Sequence, residues 1–146
     1  MNEAFKKVKK WFFAVKLQAM PKIIIPTLAG YALAFSSLTS DTMLHLAVLV
    51  FLLIFSQWFI VLMNDFADKD ADAYHLRFHP KLIERRVLPE GLLSSTQVLV
   101  SGLISGGLMI VAAIVLLKMG RFQILPLSLL GLFLLWAYSF PPIKLN

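Results

Sequence analysis

The stretch Asn64-Asp65-Phe66-Ala67-Asp68-Lys69-Asp70-Ala71-Asp72 places four of the chain's eight acidic residues directly behind a long apolar run. On a helix that continues this run, Asn64, Asp68 and Asp72 recur at i, i+4 and i+8 and share one face, with Asp65 at its edge and Asp70 pointing elsewhere. Like charges at that spacing destabilise a helix unless a cation sits among them. A ligand set made only of oxygen favours a hard ion such as Mg²⁺, which takes one or two carboxylates and completes its shell with water and substrate phosphates. The alternative is a solvated helix end with ordinary surface carboxylates, although nothing in helix energetics calls for such crowding beside a bilayer.

Cations follow the acids. Lys69 lies within the motif, and Arg77, His79, Lys81, Arg85 and Arg86 occupy the long polar connection that leads to Pro89-Glu90-Gly91. Cations close to carboxylates fit a ligand that brings both a metal and further negative charge, as a diphosphate does. Arg85 and Arg86 are equally readable as partners of lipid headgroups. His75 and His79 share helical spacing with Asp72 and are a weaker zinc candidate, because Pro80 would end the helix that carries them. Gln57 lies two helical turns before Asn64 and on the same face. It either lines a cavity or makes a helix–helix hydrogen bond.

These groups are positioned by a chain of 146 residues that is 59% hydrophobic and 15% charged, with a mean hydropathy of +0.79. Such a composition belongs to an integral membrane protein. The formal net charge of +6 and pI near 9.8 would suggest nucleic acid in a soluble chain. Here the cations flank apolar spans, so phospholipid headgroups are the expected partner and nucleic acid is not. With no cysteine there is no disulfide framework, thiolate nucleophile or cysteine-based zinc site.

Residues 1–16 form an amphipathic segment in which Phe5, Val8, Phe12 and Val15 alternate with Lys6, Lys7, Lys9, Lys10 and Lys16, the pattern of an interfacial helix on an anionic surface. Lys16 and Lys22 interrupt the apolar stretch, which argues against a cleaved signal peptide. Four spans are expected: Leu17 to about Ser36, Met43 to Met63, Gln97 to Leu117 and Phe122 to Phe140. The first carries Pro21, Pro26 and Gly30, and the third carries Gly102 and Gly106 at the spacing that lets helices approach closely. Residues 64–94 form the one long connection, which is expected to be functional. Twelve cations fall on one side of a four-span arrangement and only Lys118 and Arg121 on the other, so both termini and the acidic motif are expected to be cytoplasmic. The fold class is all-α, a polytopic membrane helical bundle forming a single membrane domain over residues 1–146.

Three ordered motifs make the chain resemble the UbiA-type superfamily of intramembrane prenyltransferases. They are Asn64-Asp65-x-x-Asp68-x-x-x-Asp72 after the second span, Arg86-Val87-Leu88-Pro89-x-Gly91-Leu92-Leu93-Ser94 before the third, and Tyr138-Ser139-x-Pro141-Pro142-x-Lys144-Leu145 after the fourth. The resemblance implies a helical bundle with a cavity that opens sideways to lipid and admits a polyprenyl diphosphate. It implies that Asn64, Asp68 and also Asp65 and Asp72 hold Mg²⁺ on the diphosphate, with Asp68, Asp72 and Lys144 serving catalysis. Arg85, Arg86, Lys69, Tyr138 and Gln57 would line the substrate site. The implied reaction ionises an allylic C–O bond and passes the prenyl group to an aromatic quinone precursor of the 4-hydroxybenzoate or dihydroxynaphthoate type. Gly91-Leu92-Leu93-Ser94 leans toward the menaquinone-pathway branch, and the cytoplasmic membrane of a bacterium is the expected location.

The family bundle has about twice as many spans and a second aspartate motif in its later half, which this sequence lacks. The expectation is therefore an N-terminal half that works with a missing C-terminal half or another helical segment. A non-catalytic membrane subunit that binds isoprenoid diphosphate or a partner half is the alternative.

Overall fold

The computed structural model describes residues 3–34, 39–78 and 87–120 together with Pro126, Leu130 and Phe133. Every described element is helical, as expected: α1 (Glu3–Ala14), a single 3-10 turn (Leu17–Ala19), α2 (Pro21–Ala34), α3 (Ser40–Ala67), α4 (Lys69–Phe78) and α5 (Ser95–Lys118). The expected fourth span, residues 122–140, lies outside the described residues apart from those three positions.

The two long helices start where side chains satisfy their first backbone N–H groups. Thr39 caps α3 and accepts from the Thr42 amide, while Thr42 reciprocates to the Thr39 amide. Ser94 does the same for α5 with Gln97. Each reciprocal box fixes a helix start that apolar periodicity alone would leave sliding by several residues. At a 1.5 Å rise, the 28 residues of α3 reach about 42 Å. That exceeds a hydrocarbon core of roughly 30 Å, so the last turn with Asn64 and Asp65 projects toward the surface. α5, with 24 residues, is also long enough to cross.

α3 and α5 pack antiparallel along most of their length, and the glycines permit it. A Cβ on Gly106 would lie 3.0 Å from the Phe59 ring, and one on Gly102 would lie 3.0 Å from Met63 Sδ and 3.5 Å from Leu62 Cβ. The third glycine, Gly107, faces open space. Farther along, Leu52 packs with Met109, Ala112 and Leu116. Hydroxyls inside the apolar helices are returned to backbone: Ser105 donates to the Ser101 carbonyl, Ser56 to Leu52 and Thr27 to Ile23. No unsatisfied hydroxyl is thereby carried into the membrane by these residues.

The first span is less simple than a single rod. Lys16, in the left-handed region at φ 46°, separates α1 from the 3-10 turn, and the segments on either side are bent by 49°. Counting that bent pair as one, the described residues hold up to three candidate spans. The hydroxyl of Tyr31 donates to the Thr42 carbonyl and ties α2 to the start of α3.

Candidate functional site

The acidic stretch does not run through a perfectly continuous helix. α3 ends at Asp68, whose φ of −92° and ψ of 5° mark a break, and α4 starts at the next residue. The i to i+4 hydrogen bonds survive the break: the Asp68 amide donates to the Asn64 carbonyl at 2.9 Å and the Asp72 amide to the Asp68 carbonyl at 2.8 Å. Asn64, Asp68 and Asp72 therefore keep the register that places them on one side, and all three are half-buried. Asp70 is exposed, as a residue off that side should be. Gln57, two turns earlier, is also half-buried.

Asp65 behaves differently from its neighbours. It is 5% exposed, and its Oδ1 lies 3.8 Å from Lys16 Nζ. The lysine reaches it because α1 docks on α3: Ala14 is fully buried with Leu62, Val87, Leu93 and Val98, and Trp11, Phe13 and Phe66 pack around that cluster. In the sequence Lys16 reads as a cation of the interfacial helix and as an interruption of the apolar stretch, not as the partner of an acid. A cation placed where hydrophobicity should continue was the available signal that it meets a buried acid.

The same cluster draws the second motif to the first. Val87 and Leu93 bracket a turn in which the Gly91 amide donates to the Leu88 carbonyl and the Leu92 amide to the Val87 carbonyl. Gly91 adopts φ 65°, a conformation that costs a side chain-bearing residue and suits glycine. The turn feeds the Ser94 cap of α5 and holds residues 87–93 beside the last turns of α3. Lys69 is half-buried, with its Nζ 4.8 Å from the centre of the Phe66 ring. On α4, His75 is exposed, and the Tyr74 and Phe78 rings lie 4.6 Å apart, tilted by 42°, with Arg77 beside Phe78.

Arg85, Arg86, Tyr138 and Lys144, together with His79 and Lys81, lie outside the described residues. Among the described residues, no group of three or more His, Cys, Asp or Glu side chains converges as a ready-made metal site. The oxygen-only donors Asn64, Asp68 and Asp72 remain compatible with Mg²⁺, which uses few protein carboxylates and leans on water and substrate phosphate. The described zinc candidates, Asp72 and His75, belong to no such convergent group.

The family model described as the UbiA prenyltransferase family matches residues 23–145, which include all three motifs. Neither a curated protein nor a solved structure matches the chain.

Proposed function

The chain belongs to the UbiA prenyltransferase family, and we propose that it serves Mg²⁺-dependent transfer of a polyprenyl group from its diphosphate to an aromatic quinone precursor. The observation that carries this reading is the unbroken i to i+4 register from Asn64 through Asp68 to Asp72 at the exit of a 28-residue apolar helix. It sets oxygen donors where the head of a membrane-embedded diphosphate would lie, with its tail alongside the span.

Asn64, Asp68 and Asp72 are the residues that would hold the metal. Bound Mg²⁺ supplies positive charge that neutralises the departing diphosphate. Lys69, Arg85, Arg86 and Lys144 add fixed positive charge around the same leaving group, while Tyr138 and Gln57 orient the substrates. Apolar walls around the allylic carbon keep water from the cation until the acceptor captures it. Asp65 takes a supporting part in this assignment, since its carboxylate is turned into the protein toward Lys16.

The proposal extends to a second helical segment. Gln57, Asn64 and Asp68 form a polar strip only half covered by the described helices, and such a strip in a bilayer calls for protein against it. The acidic connection and both termini are assigned to the cytoplasmic face of a bacterial inner membrane, and the acceptor is of the 4-hydroxybenzoate or dihydroxynaphthoate type.

The test is to express the chain in membranes with Mg²⁺, a polyprenyl diphosphate and either 4-hydroxybenzoate or dihydroxynaphthoate, and to look for prenylated product. Product is expected only when a helical segment bearing a further aspartate motif is co-expressed, and not with Asp68→Ala. Turnover by the chain alone, above the Asp68→Ala control, would refute the need for a second segment. Product that survives Asp68→Ala in the complete assembly would refute the site.

A further inference from the structure

The last turns of α3 carry two neighbouring stripes. Leu62, Asp65 and Phe66 stand at i, i+3 and i+4 and share one of them. Leu62 is buried in the cluster that contains Ala14 of α1, and Phe66 packs against the same cluster. Asn64 and Asp68 belong to the adjacent stripe and are half-buried. Asp65 and Asp68 are three residues apart and therefore neighbours on the helix surface. The side-chain rotamer of Asp65 thus decides which stripe receives its oxygens.

Two observations turn that carboxylate away from the acidic strip. Its Oδ1 lies 3.8 Å from Lys16 Nζ in a residue only 5% exposed, and Asp65, Asp68 and Asp72 do not converge as a group that could hold a metal. The corner that delivers the ammonium is firmly built. At Lys16, with φ 46° and ψ 51°, the amide donates to the Phe13 carbonyl at 3.1 Å and the carbonyl accepts from the Ala19 amide at 2.8 Å. Backbone of this kind persists only where its surroundings over-determine it, and it clusters at functional sites. A carboxylate buried this deeply calls for a cation, and removing the cation alone is far more disruptive than making both partners neutral.

The consequence for the metal follows from coordination. Mg²⁺ takes one or two carboxylates and keeps its other positions for water and phosphate, and Asp68 and Asp72 are already two. A third carboxylate would occupy a position that the diphosphate needs and would suit the larger Ca²⁺, which accepts more oxygen ligands. We propose that Lys16 is a positioning residue: by holding the Asp65 carboxylate in the contact between α1 and α3, it withholds a third carboxylate from the metal and leaves coordination open to the diphosphate. This role rests on the metal–diphosphate reading of Asn64, Asp68 and Asp72 given above.

The test uses the full chain in lipid nanodiscs with two readouts: Mg²⁺-dependent binding of geranylgeranyl diphosphate, and the rise in unfolding temperature produced by Ca²⁺ alone. Lys16→Met keeps an unbranched stem but removes the ammonium. Its diphosphate affinity should fall about ten-fold, the lower end of the loss when outer support of a metal site is removed, while its Ca²⁺ response should exceed that of the wild type. Adding Asp65→Asn should reverse both changes, because a neutral amide stays buried without the ammonium and brings the metal no charge. Asp65→Asn alone and Lys16→Arg should stay within about two-fold of wild type in diphosphate affinity, the scale of substitutions that break no essential contact. The Asp65→Asn arm stands whether or not Lys16→Met folds: a loss as large as that of Asp68→Ala would overturn the proposal by making Asp65 a metal ligand. A loss in Lys16→Met that Asp65→Asn does not restore would overturn it by placing the ammonium on the diphosphate itself. A Ca²⁺ response in Lys16→Met no larger than that of the wild type would overturn it as well. Absence of Mg²⁺-dependent binding in the wild type would defeat the reading of the strip, and this role with it, and is distinguished from the other outcomes by needing no variant.

Discussion

Among the described residues Lys16 is the one non-glycine residue at positive φ, and its contact explains the cost. A non-glycine residue held at positive φ costs on the order of 1–3 kcal/mol, and Lys16 sits at φ 46°. That backbone turns the chain so that Ala14 is buried against α3 while the ammonium meets Asp65. Removing one partner of a buried charged contact costs about 1–3 kcal/mol or more. The Lys16 side chain is 35% exposed, and solvent screening puts the cost at the low end. Lys16→Met should therefore lower the thermal stability of the detergent-solubilised protein, whereas Lys16→Arg should retain most of it. Equal loss in both variants would mean that the backbone conformation matters and the charge does not. Asp65 was foreseen at the edge of the acidic face, but its lysine partner is far away in sequence, and no local spacing rule connects residues 16 and 65.

At the scale of elements, what was legible followed from periodicity and turn chemistry. The α3 and α5 spans, the Ser94 cap and the close approach at Gly102 and Gly106 could be read from apolar length, a serine before an apolar run and glycine spacing. The docking of α1 could not, because an amphipathic helix presents the same pattern to a lipid surface and to a protein. The break at Asp68 was equally hidden, since the sequence there has no Pro or Gly to mark it. The glycines supply a graded prediction. Gly106→Ala meets a phenylalanine ring at 3.0 Å, Gly102→Ala meets the flexible end of Met63, and Gly107→Ala meets nothing. Stability should fall most for Gly106→Ala and less for Gly102→Ala, while Gly107→Ala should be neutral or gain up to about 1 kcal/mol from helix propensity. Thermal unfolding of the three single variants checks the order.

At the scale of the whole molecule, a membrane crossing separates the Thr39 cap of α3 from the acidic motif at its other end. The chain has no native cysteine, so Ser40→Cys and Phe78→Cys can each report a side. Impermeant maleimide should label Phe78→Cys from the cytoplasm and Ser40→Cys from the opposite face; labelling of both from one face would contradict the topology.

The central claim is that one face of the acidic stretch, and not its general charge, holds the metal and diphosphate. The direct measurement is binding of a polyprenyl diphosphate to the chain in lipid nanodiscs, with and without Mg²⁺, for Asp68→Ala and Asp70→Ala. The two variants differ by two residues and not at all in net charge. Binding should depend on Mg²⁺, fall at least about ten-fold in Asp68→Ala as expected for loss of one charge-assisted contact of roughly 1.5–3 kcal/mol, and stay close to wild type in Asp70→Ala. Equal losses in the two variants would contradict the account and reduce the motif to a diffuse acidic patch.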